Sequence, residues 1–256
     1  MFPNLEIFST VIPFCVVATA VFVTIVIFYL RCWARELSPM PVREILYFIL
    51  LPLPFTWLGA KVFHLAFETK LPFGQEWLGH LLEPAGRVFY GSLLGFIAAF
   101  TVFLRGKTSV ERKTYWRAAT ELGALGYFIL RIDCFAEGCC WGSMTSLPIA
   151  VIYERSDATM PYLGVPVHPV QLYDAFLGLV IFGLLRCWNW RSPLASFLLF
   201  YSFGRIVTEL FRGDSIRGTH VVAGLSLAQS LSVAIFLIVC GWLVAQTLKQ
   251  PGVVRT

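Results

Sequence analysis

Long apolar stretches separated by short polar segments run through this chain. Three of them contain no Asp, Glu, Lys or Arg: Ile7–Leu30, Val88–Leu104 and Gly218–Leu248. A helix needs roughly 20 apolar residues to cross the hydrocarbon core of a bilayer, so each stretch has about the length of a membrane span. The in-out alternation of a membrane β-barrel would leave only short charge-free runs. The pattern predicts an all-α, polytopic membrane protein.

The hydropathy pattern predicts seven transmembrane helices in a single membrane domain, residues 1–256. Loops on one side receive 12 of the 20 Lys and Arg residues, and basic loops remain on the cytoplasmic side. We therefore predict the N-terminus outside and the C-terminus inside. The large loop 136–168 is then outer, with a strand-like part at Leu147–Tyr153 and a turn-rich part at Ser156–Pro166. The predicted spans are 8–30, 44–66, 86–104, 118–135, 169–186, 193–211 and 221–247.

Composition supports the membrane assignment. The chain is 57% hydrophobic and 14% charged, with a mean hydropathy of +0.73, whereas soluble domains are nearer half apolar and a quarter charged. These values exclude disorder, a coiled coil and an ordinary soluble enzyme. The net charge of +5 is largely the inner-loop excess, so no nucleic-acid partner is predicted. The first apolar stretch lacks a basic start and a small-residue cleavage site before Arg31, and we expect it to be retained as a span.

Ionisable residues inside predicted spans mark the candidate site, because a charge in the bilayer costs several kcal/mol. Arg131 lies in the fourth span, and Arg205 and Glu209 lie in the sixth. The helix rise places both arginines about 20 Å from the inner surface, in the outer half of the membrane. Arg205, Glu209 and Arg212 follow i, i+4, i+7 spacing and share one helix face, so Glu209 can pair with Arg205.

Two interpretations of these arginines remain open. They form ion pairs that hold the helices together, or they form a pocket open to the outer leaflet that binds an anion. Guanidinium is planar, always charged and donates in pairs, which suits a phosphate. In a membrane, the anion with apolar tails is a phospholipid. Other polar residues are predicted at the same level, from the third span (Tyr90 and Gly91) and the start of the fifth (His168, Gln171 and Tyr173).

Cysteines and glycines add further candidates. Cys134, Cys139 and Cys140 cluster at the outer end of the fourth span. They are interpreted as a disulfide between Cys134 and one of the adjacent pair, as pocket lining, or as a nucleophile or metal ligands. The usual Cys-x-x-Cys spacing of a metal site is missing, so no metal ion and no cofactor is predicted. The small-xxx-small pairs favour close packing: Gly91 with Gly95, and Gly138 with Gly142.

Four segments, in order, resemble motifs of the prolipoprotein diacylglyceryl transferases. The first two are Phe89–Gly95 (FYGSLLG) and Arg131–Gly142 (RIDCFAEGCCWG). His168–Asp174 (HPVQLYD) is similar to the family's His-Pro-x-Gln-Leu-Tyr-Glu motif. Tyr201–Asp214 (YSFGRIVTELFRGD) is similar to its Tyr-Gly-x-x-Arg…Glu-x-x-Arg motif. The likeness runs from about Gly59 to the seventh span, so the chain is identified as a member of this family.

The resemblance implies a transferase of the bacterial inner membrane with its active site at the periplasmic side. The family moves a diacylglyceryl group from phosphatidylglycerol to the lipobox cysteine of a prolipoprotein. By resemblance, Arg131 and Arg205 would hold the phosphate and stabilise the charge that develops on it. Glu209 would orient Arg205, and Tyr201 would line the pocket. The remaining substrate-binding candidates are Arg212, His168, Gln171, Tyr173, Gly91, Gly138, Gly142, Cys134 and Cys139.

The chain departs from the family pattern on the acceptor side. Where the family has His-Gly-Gly, this sequence has Tyr90-Gly91-Ser92. Tyr90 becomes the candidate base, although a tyrosine with a reference pKa of about 10 is a weaker base at neutral pH than histidine. The family's Asn-Gly-Glu is Glu137-Gly138-Cys139 here, Cys134 replaces an asparagine and Ser143 replaces a basic residue.

Three alternatives to the leading function follow. The first is the same donor chemistry with another acceptor nucleophile, passing through Cys139 or Cys140. The second is a non-catalytic phospholipid-binding or structural membrane protein that retains the arginine pair. The third is a thiol-redox role for Cys134 with Cys139 or Cys140.

Overall fold

The computed structural model describes residues 4–7, 10–37, 42–67, 76–81, 88–154, 163–213 and 225–248. Helices make up most of these residues, as expected for an all-α membrane protein. The helices are α1 Phe14–Leu37, α2 Val42–Leu50, α3 Pro52–Phe67, α4 Glu76–Leu81, α5 Phe89–Phe103, α6 Ser109–Glu137, α7 Val170–Cys187, α8 Pro193–Glu209 and α9 Leu227–Leu248. Four short strands accompany them: β1 Asn4–Ile7, β2 Thr10–Pro13, β3 Val151–Ile152 and β4 Pro166–Val167.

Three helical segments of the described chain are long and apolar enough to cross a membrane. They are Arg43–Phe67 with 25 residues, Val170–Cys187 with 18 and Leu227–Leu248 with 22. Val16–Cys32 and Phe89–Phe103 are shorter apolar helices. These segments support an integral membrane protein. Seven spans and the orientation of the termini stay predictions.

Two prolines determine where helices begin or end within the first two predicted spans. The second span consists of two helices, because Pro52 has no N–H to continue the ladder, and α2 closes with the bond from Leu51 N to Tyr47 O at 3.1 Å. The first helix begins at Phe14 rather than residue 8, after an antiparallel β1–β2 pair that ends at Pro13. A residue preceding proline is restricted to extended conformations. The predicted start of the seventh span, residues 221–224, lies outside the described residues.

The helices that carry the site begin at local caps. At α8, Ser192 Oγ accepts a hydrogen bond from Ala195 N at 3.3 Å, and Pro193 occupies the first turn, where its missing N–H is not needed. At α6, Thr108 N donates to Glu111 Oε2 at 2.8 Å and Glu111 N donates to Thr108 Oγ1 at 3.3 Å, which is a capping box. These hydrogen bonds from Thr108 lower the pKa of Glu111.

The chain divides into two compact units, residues 28–112 and residues 1–27 with 113–256. In the first unit, α3 and α5 pack through glycines. A β-carbon built on Gly91 would overlap the carbonyl oxygen of Gly59, and one on Gly95 would overlap that of Phe55. The predicted small-xxx-small contact of Gly91 and Gly95 is therefore a backbone-to-backbone approach of α3 and α5.

We expect Gly91→Ala to destabilise this unit. The added methyl group meets backbone atoms that cannot rotate away, and overpacking of this kind costs about 1–3 kcal/mol. Thermal unfolding of the detergent-solubilised protein, followed by circular dichroism, measures the effect. Gly241→Ala in α9 is the matched control, because a β-carbon there meets nothing within 4 Å. Equal midpoints for the two variants would contradict the packing role of Gly91.

The second unit carries most of the predicted site. Within it, α8 packs against both α7 and α9. A small β-pair joins β3 to β4, with Val151 opposite Val167, so the strand predicted over Leu147–Tyr153 is confined to Val151–Ile152. Tyr153, Val167 and Trp141 form a buried cluster beneath it. Residues 156–162 of the predicted turn-rich segment lie outside the described residues.

Candidate active site

Two arginines from different helices meet at one carboxylate. Arg131 Nε on α6 lies 3.2 Å from Asp174 Oδ2, and Arg205 Nη1 on α8 lies 3.0 Å from the same oxygen. Asp174 is on the first turns of α7. All three are buried, with exposed fractions of 7% for Arg131, 4% for Arg205 and 0% for Asp174. The structure thus brings the two predicted arginines together, and Asp174 is what joins them.

Glu209 completes the pairing of Arg205. Its Oε2 accepts a hydrogen bond from Arg205 Nη2 and lies 3.9 Å from Arg212 Nε. Its Oε1 accepts from Ser226 Oγ at 3.0 Å. Arg205 Nη1 also lies 3.2 Å from Thr208 Oγ1. The i, i+4 pair predicted from the sequence is present, and its guanidinium is held from three directions.

Guanidiniums outnumber carboxylates among the five residues of this cluster. It contains three guanidiniums (Arg131, Arg205 and Arg212) and two carboxylates (Asp174 and Glu209). Another carboxylate, Asp133, is two positions from Arg131 on α6, and residues at that spacing do not face each other on a helix. The three guanidiniums are the groups of this cluster that suit an anion.

Aromatic side chains pack against Arg131; they are called the aromatic wall below. The Tyr127 ring centroid lies 4.9 Å from Arg131 Cζ, a cation–π distance. Tyr201 meets Tyr127 edge-on at 5.3 Å between centroids and stacks on Phe197 at 5.9 Å. Tyr201, predicted to line the pocket, is thus a buried member of this wall. The sequence analysis missed Tyr127, although its i−4 position relative to Arg131 signals the contact.

The predicted residues at the start of α7 fall into two groups. His168 Nδ1 lies 3.1 Å from Tyr173 Oη, and both rings contact Phe211, at 5.1 Å and 5.8 Å between centroids. Gln171 is fully buried and donates from Nε2 to the carbonyl oxygen of Cys139 at 2.6 Å. His168 and Tyr173 therefore form an aromatic group with Phe211, while Gln171 fixes the cysteine loop.

The loop after α6 is tightly held. Gly142 N donates to His168 O at 3.1 Å, and Gly142 forms an isolated bridge with Arg212. A β-carbon on Gly142 would overlap His168 O. Gly138 adopts φ 74°, in the left-handed region that glycine enters without steric cost. These two glycines shape the loop, and their predicted contact with substrate stays a prediction.

The three cysteines converge as the sequence analysis expected. Their sulfur atoms lie within 4.8 Å of one another. None of the three forms a disulfide, so the bridge interpreted between Cys134 and one of the adjacent pair is not present. Hydrogen bonds from Cys134 and Cys139 lower the pKa of the Cys140 thiol, burial opposes this shift, and the charges of Arg212 and Arg131 add to it. Hydrogen bonds to Cys134 and Cys140, together with burial, raise the pKa of Cys139.

Two predicted residues belong to the unit of residues 28–112. Tyr90 is buried at the start of α5, and Gly91 packs against α3. Their predicted roles as a base and as a substrate contact stay predictions.

Comparison with known proteins gives the family. The prolipoprotein diacylglyceryl transferase family matches residues 10–245. Proteins named phosphatidylglycerol–prolipoprotein diacylglyceryl transferase are similar. The one from Caulobacter vibrioides (strain NA1000 / CB15N) is 31% identical over 182 residues, covering 65% of this chain and 60% of the relative. That from Rickettsia canadensis (strain McKiel) is 30% identical over 173 residues, covering 64% of each. That from Legionella pneumophila (strain Paris) is 31% identical over 191 residues, covering 71% of each. The matched part of this chain thus spans between 60% and 71% of these relatives' lengths. Because the family match extends over most of its residues, the chain belongs to the prolipoprotein diacylglyceryl transferase family.

Proposed function

We propose that this chain transfers a diacylglyceryl group from phosphatidylglycerol to the thiol of a prolipoprotein lipobox cysteine. The observation that carries the proposal is the cluster of Arg131, Arg205 and Arg212 around Asp174 and Glu209, in which buried guanidiniums from two helices converge. A phospholipid phosphate diester carries one negative charge, so it complements this cluster. The family assignment and the names of the relatives support the same donor and acceptor.

The chemistry needs a site that stabilises growing negative charge. The acceptor sulfur attacks the glycerol carbon of the diacylglyceryl group, and the bond from that carbon to the phosphate oxygen breaks. The leaving glycerol phosphate changes from a diester monoanion toward a monoester dianion. Fixed guanidiniums in a buried site stabilise that charge without reorganisation. Arg131 and Arg205 are assigned this role, and Asp174 and Glu209 hold them in place.

The proposal includes the membrane arrangement. We infer one membrane domain over residues 1–256 with seven spans, the N-terminus outside and the C-terminus inside, in the bacterial inner membrane. The site then opens on the periplasmic side. Supporting this are the positive-inside bias of the loops and the apolar helices that are long enough to cross a membrane.

One observation favours a second function. Both central arginines are nearly buried and already paired with carboxylates, as in a cluster that only holds helices together. A non-catalytic, phospholipid-binding membrane protein would have the same geometry. Turnover distinguishes the two functions.

A transfer assay tests the proposal. The purified chain in detergent micelles is mixed with phosphatidylglycerol and a lipobox peptide, and the peptide is followed by mass spectrometry. We expect a diacylglyceryl mass gain on the peptide, with release of glycerol phosphate. Phosphatidylethanolamine, and a peptide with serine in place of cysteine, are the controls and should give no product. Consumption of phosphatidylglycerol without peptide modification would indicate another acceptor. Binding of the lipid without any consumption would indicate the non-catalytic function.

A further inference from the structure

The cysteine cluster is built from three positions that the local backbone forces together. Cys134 lies on the last turn of α6, and Cys139 N donates to its carbonyl oxygen at 3.1 Å. Cys140 adopts φ 58°, a left-handed conformation that is uncommon for a residue with a β-carbon and persists only where surroundings impose it. The amide of Gln171 holds the loop through the 2.6 Å bond to Cys139 O. The backbone of this loop therefore fixes the positions of the three sulfur atoms.

The sulfur spacing suits one thiophilic metal ion. The three sulfur atoms are at most 4.8 Å apart, so a metal ion at the centre of their triangle would lie within about 2.8 Å of each. A zinc–thiolate bond is about 2.3 Å long. Each sulfur therefore moves by about half an ångström to close a site. Thiolates select soft or borderline cations such as Zn²⁺ over Mg²⁺ or Ca²⁺. The Cys-x4-Cys-Cys spacing, which led the sequence analysis to predict no metal, is compensated by the left-handed turn at Gly138 and Cys140.

Charged groups of both signs lie beside such a site. Zn²⁺ with three thiolates carries one net negative charge. Arg131 lies three residues before Cys134 and on the same face of α6. Arg212 is joined by its backbone bridge to Gly142, which directly follows the cysteine loop. Two guanidiniums therefore flank the cluster, and one carboxylate contacts it, because Cys139 Sγ donates to Glu137 Oε2 at 3.8 Å.

We propose that Cys134, Cys139 and Cys140 bind one zinc ion whose fourth position takes the acceptor thiol. Three protein ligands leave one position of a tetrahedral zinc open to substrate, and a thiol that coordinates zinc is deprotonated outright. Asp174 and Glu209 are engaged by guanidiniums, so zinc rather than either carboxylate would activate the acceptor thiol. The inference rests on the proposed transfer.

The step balances without a change in oxidation state. On binding zinc, the acceptor S–H releases its proton to water. The sulfur lone pair then forms the bond to the glycerol carbon, and the electron pair of the carbon–oxygen bond leaves with the phosphate. The product sulfur is a neutral thioether, which is a weaker zinc ligand than a thiolate, so the product dissociates and the zinc position reopens.

Metal binding is tested on the full chain, purified in detergent under reducing conditions without chelators. We expect about one zinc per chain by elemental analysis, as one four-coordinate site requires. The zinc content of Cys134→Ser and of Cys140→Ser should be at least tenfold lower than that of the wild-type chain. Both variants should elute like the wild-type chain in size-exclusion chromatography. Cys187→Ser, which changes an exposed cysteine at the end of α7, is the matched control and should keep it. Zinc should also protect the three cluster cysteines of the unchanged chain from alkylation.

Acceptor binding is tested separately with Co²⁺ in place of zinc. The visible spectrum of the Co²⁺ protein should change on adding a lipobox peptide and stay unchanged with the serine peptide. This readout needs neither turnover nor a variant that folds.

Three outcomes would overturn the inference: no zinc in the reduced wild-type chain, equal zinc in Cys140→Ser, or a zinc-free chain that transfers at the full rate. The last would leave the proposed function intact. A cobalt spectrum that responds to the cysteine peptide, in a protein that never consumes phospholipid, would support the zinc site and contradict the proposed transfer.

Discussion

Asp174→Asn is expected to remove most of the folded protein from detergent extracts. Asp174 is the carboxylate that both Arg131 and Arg205 contact, and asparagine keeps its shape but not its charge. Two guanidiniums then lie buried beside a neutral amide. Breaking a buried ion pair from one side costs about 3–5 kcal/mol, a large part of the 5–15 kcal/mol that stabilises a typical domain. Yield by size-exclusion chromatography and the thermal midpoint measure the loss.

Asp133→Asn is the matched control for this variant. It removes the same charge from the same region, yet one oxygen of Asp133 is buried without a hydrogen-bond partner among the described residues. We expect little change in its midpoint. Combining Asp174→Asn with Arg205→Met should recover part of the lost stability, because the second change removes one of the stranded charges. Wild-type stability of Asp174→Asn alone would contradict the role of Asp174 as the shared counter-ion.

Features that depend on helical periodicity could be read from the sequence. Charges in otherwise apolar spans pointed to Arg131 and Arg205, and i, i+4 spacing gave the Arg205–Glu209 pair. The same rule predicts the contact of Tyr127 with Arg131, which was overlooked. Spacing within one helix gives no partner on another, so the contact of Asp174 with both arginines could not be predicted.

Features that depend on contacts between residues far apart in the chain could not be predicted from the sequence. The bond from Gln171 to Cys139 joins residues 32 positions apart, and the sulfur cluster depends on left-handed backbone at a non-glycine residue, Cys140. Hydropathy correctly gave one span over Arg43–Phe67, but a window average does not register the break at Pro52, whose N–H is missing. Local pattern therefore placed the charged residues, and tertiary structure decided their partners.

Arg205→Lys is expected to reduce transfer about 100- to 1000-fold in kcat, the usual effect of losing one donor to a developing oxyanion. Arg205 contacts Asp174, Thr208 and Glu209 at the same time. A lysine ammonium is a single point that cannot span these acceptors and still present a fixed donor to phosphate. The positive charge remains, so the variant separates fixed geometry from net charge.

The division of the effect between kcat and KM identifies what Arg205 does. If it stabilises charge on the departing phosphate, kcat and kcat/KM fall together and KM stays near its wild-type value. If it only binds the head group, KM rises and kcat is unchanged. Arg186→Lys is the matched control, because Arg186 is partly exposed and lies 3.8 Å from Glu121, outside the cluster. A variant with full kcat and a lowered thermal midpoint would reduce Arg205 to a helix-pairing residue, because a group that stabilises the transition state cannot be weakened without slowing the chemical step.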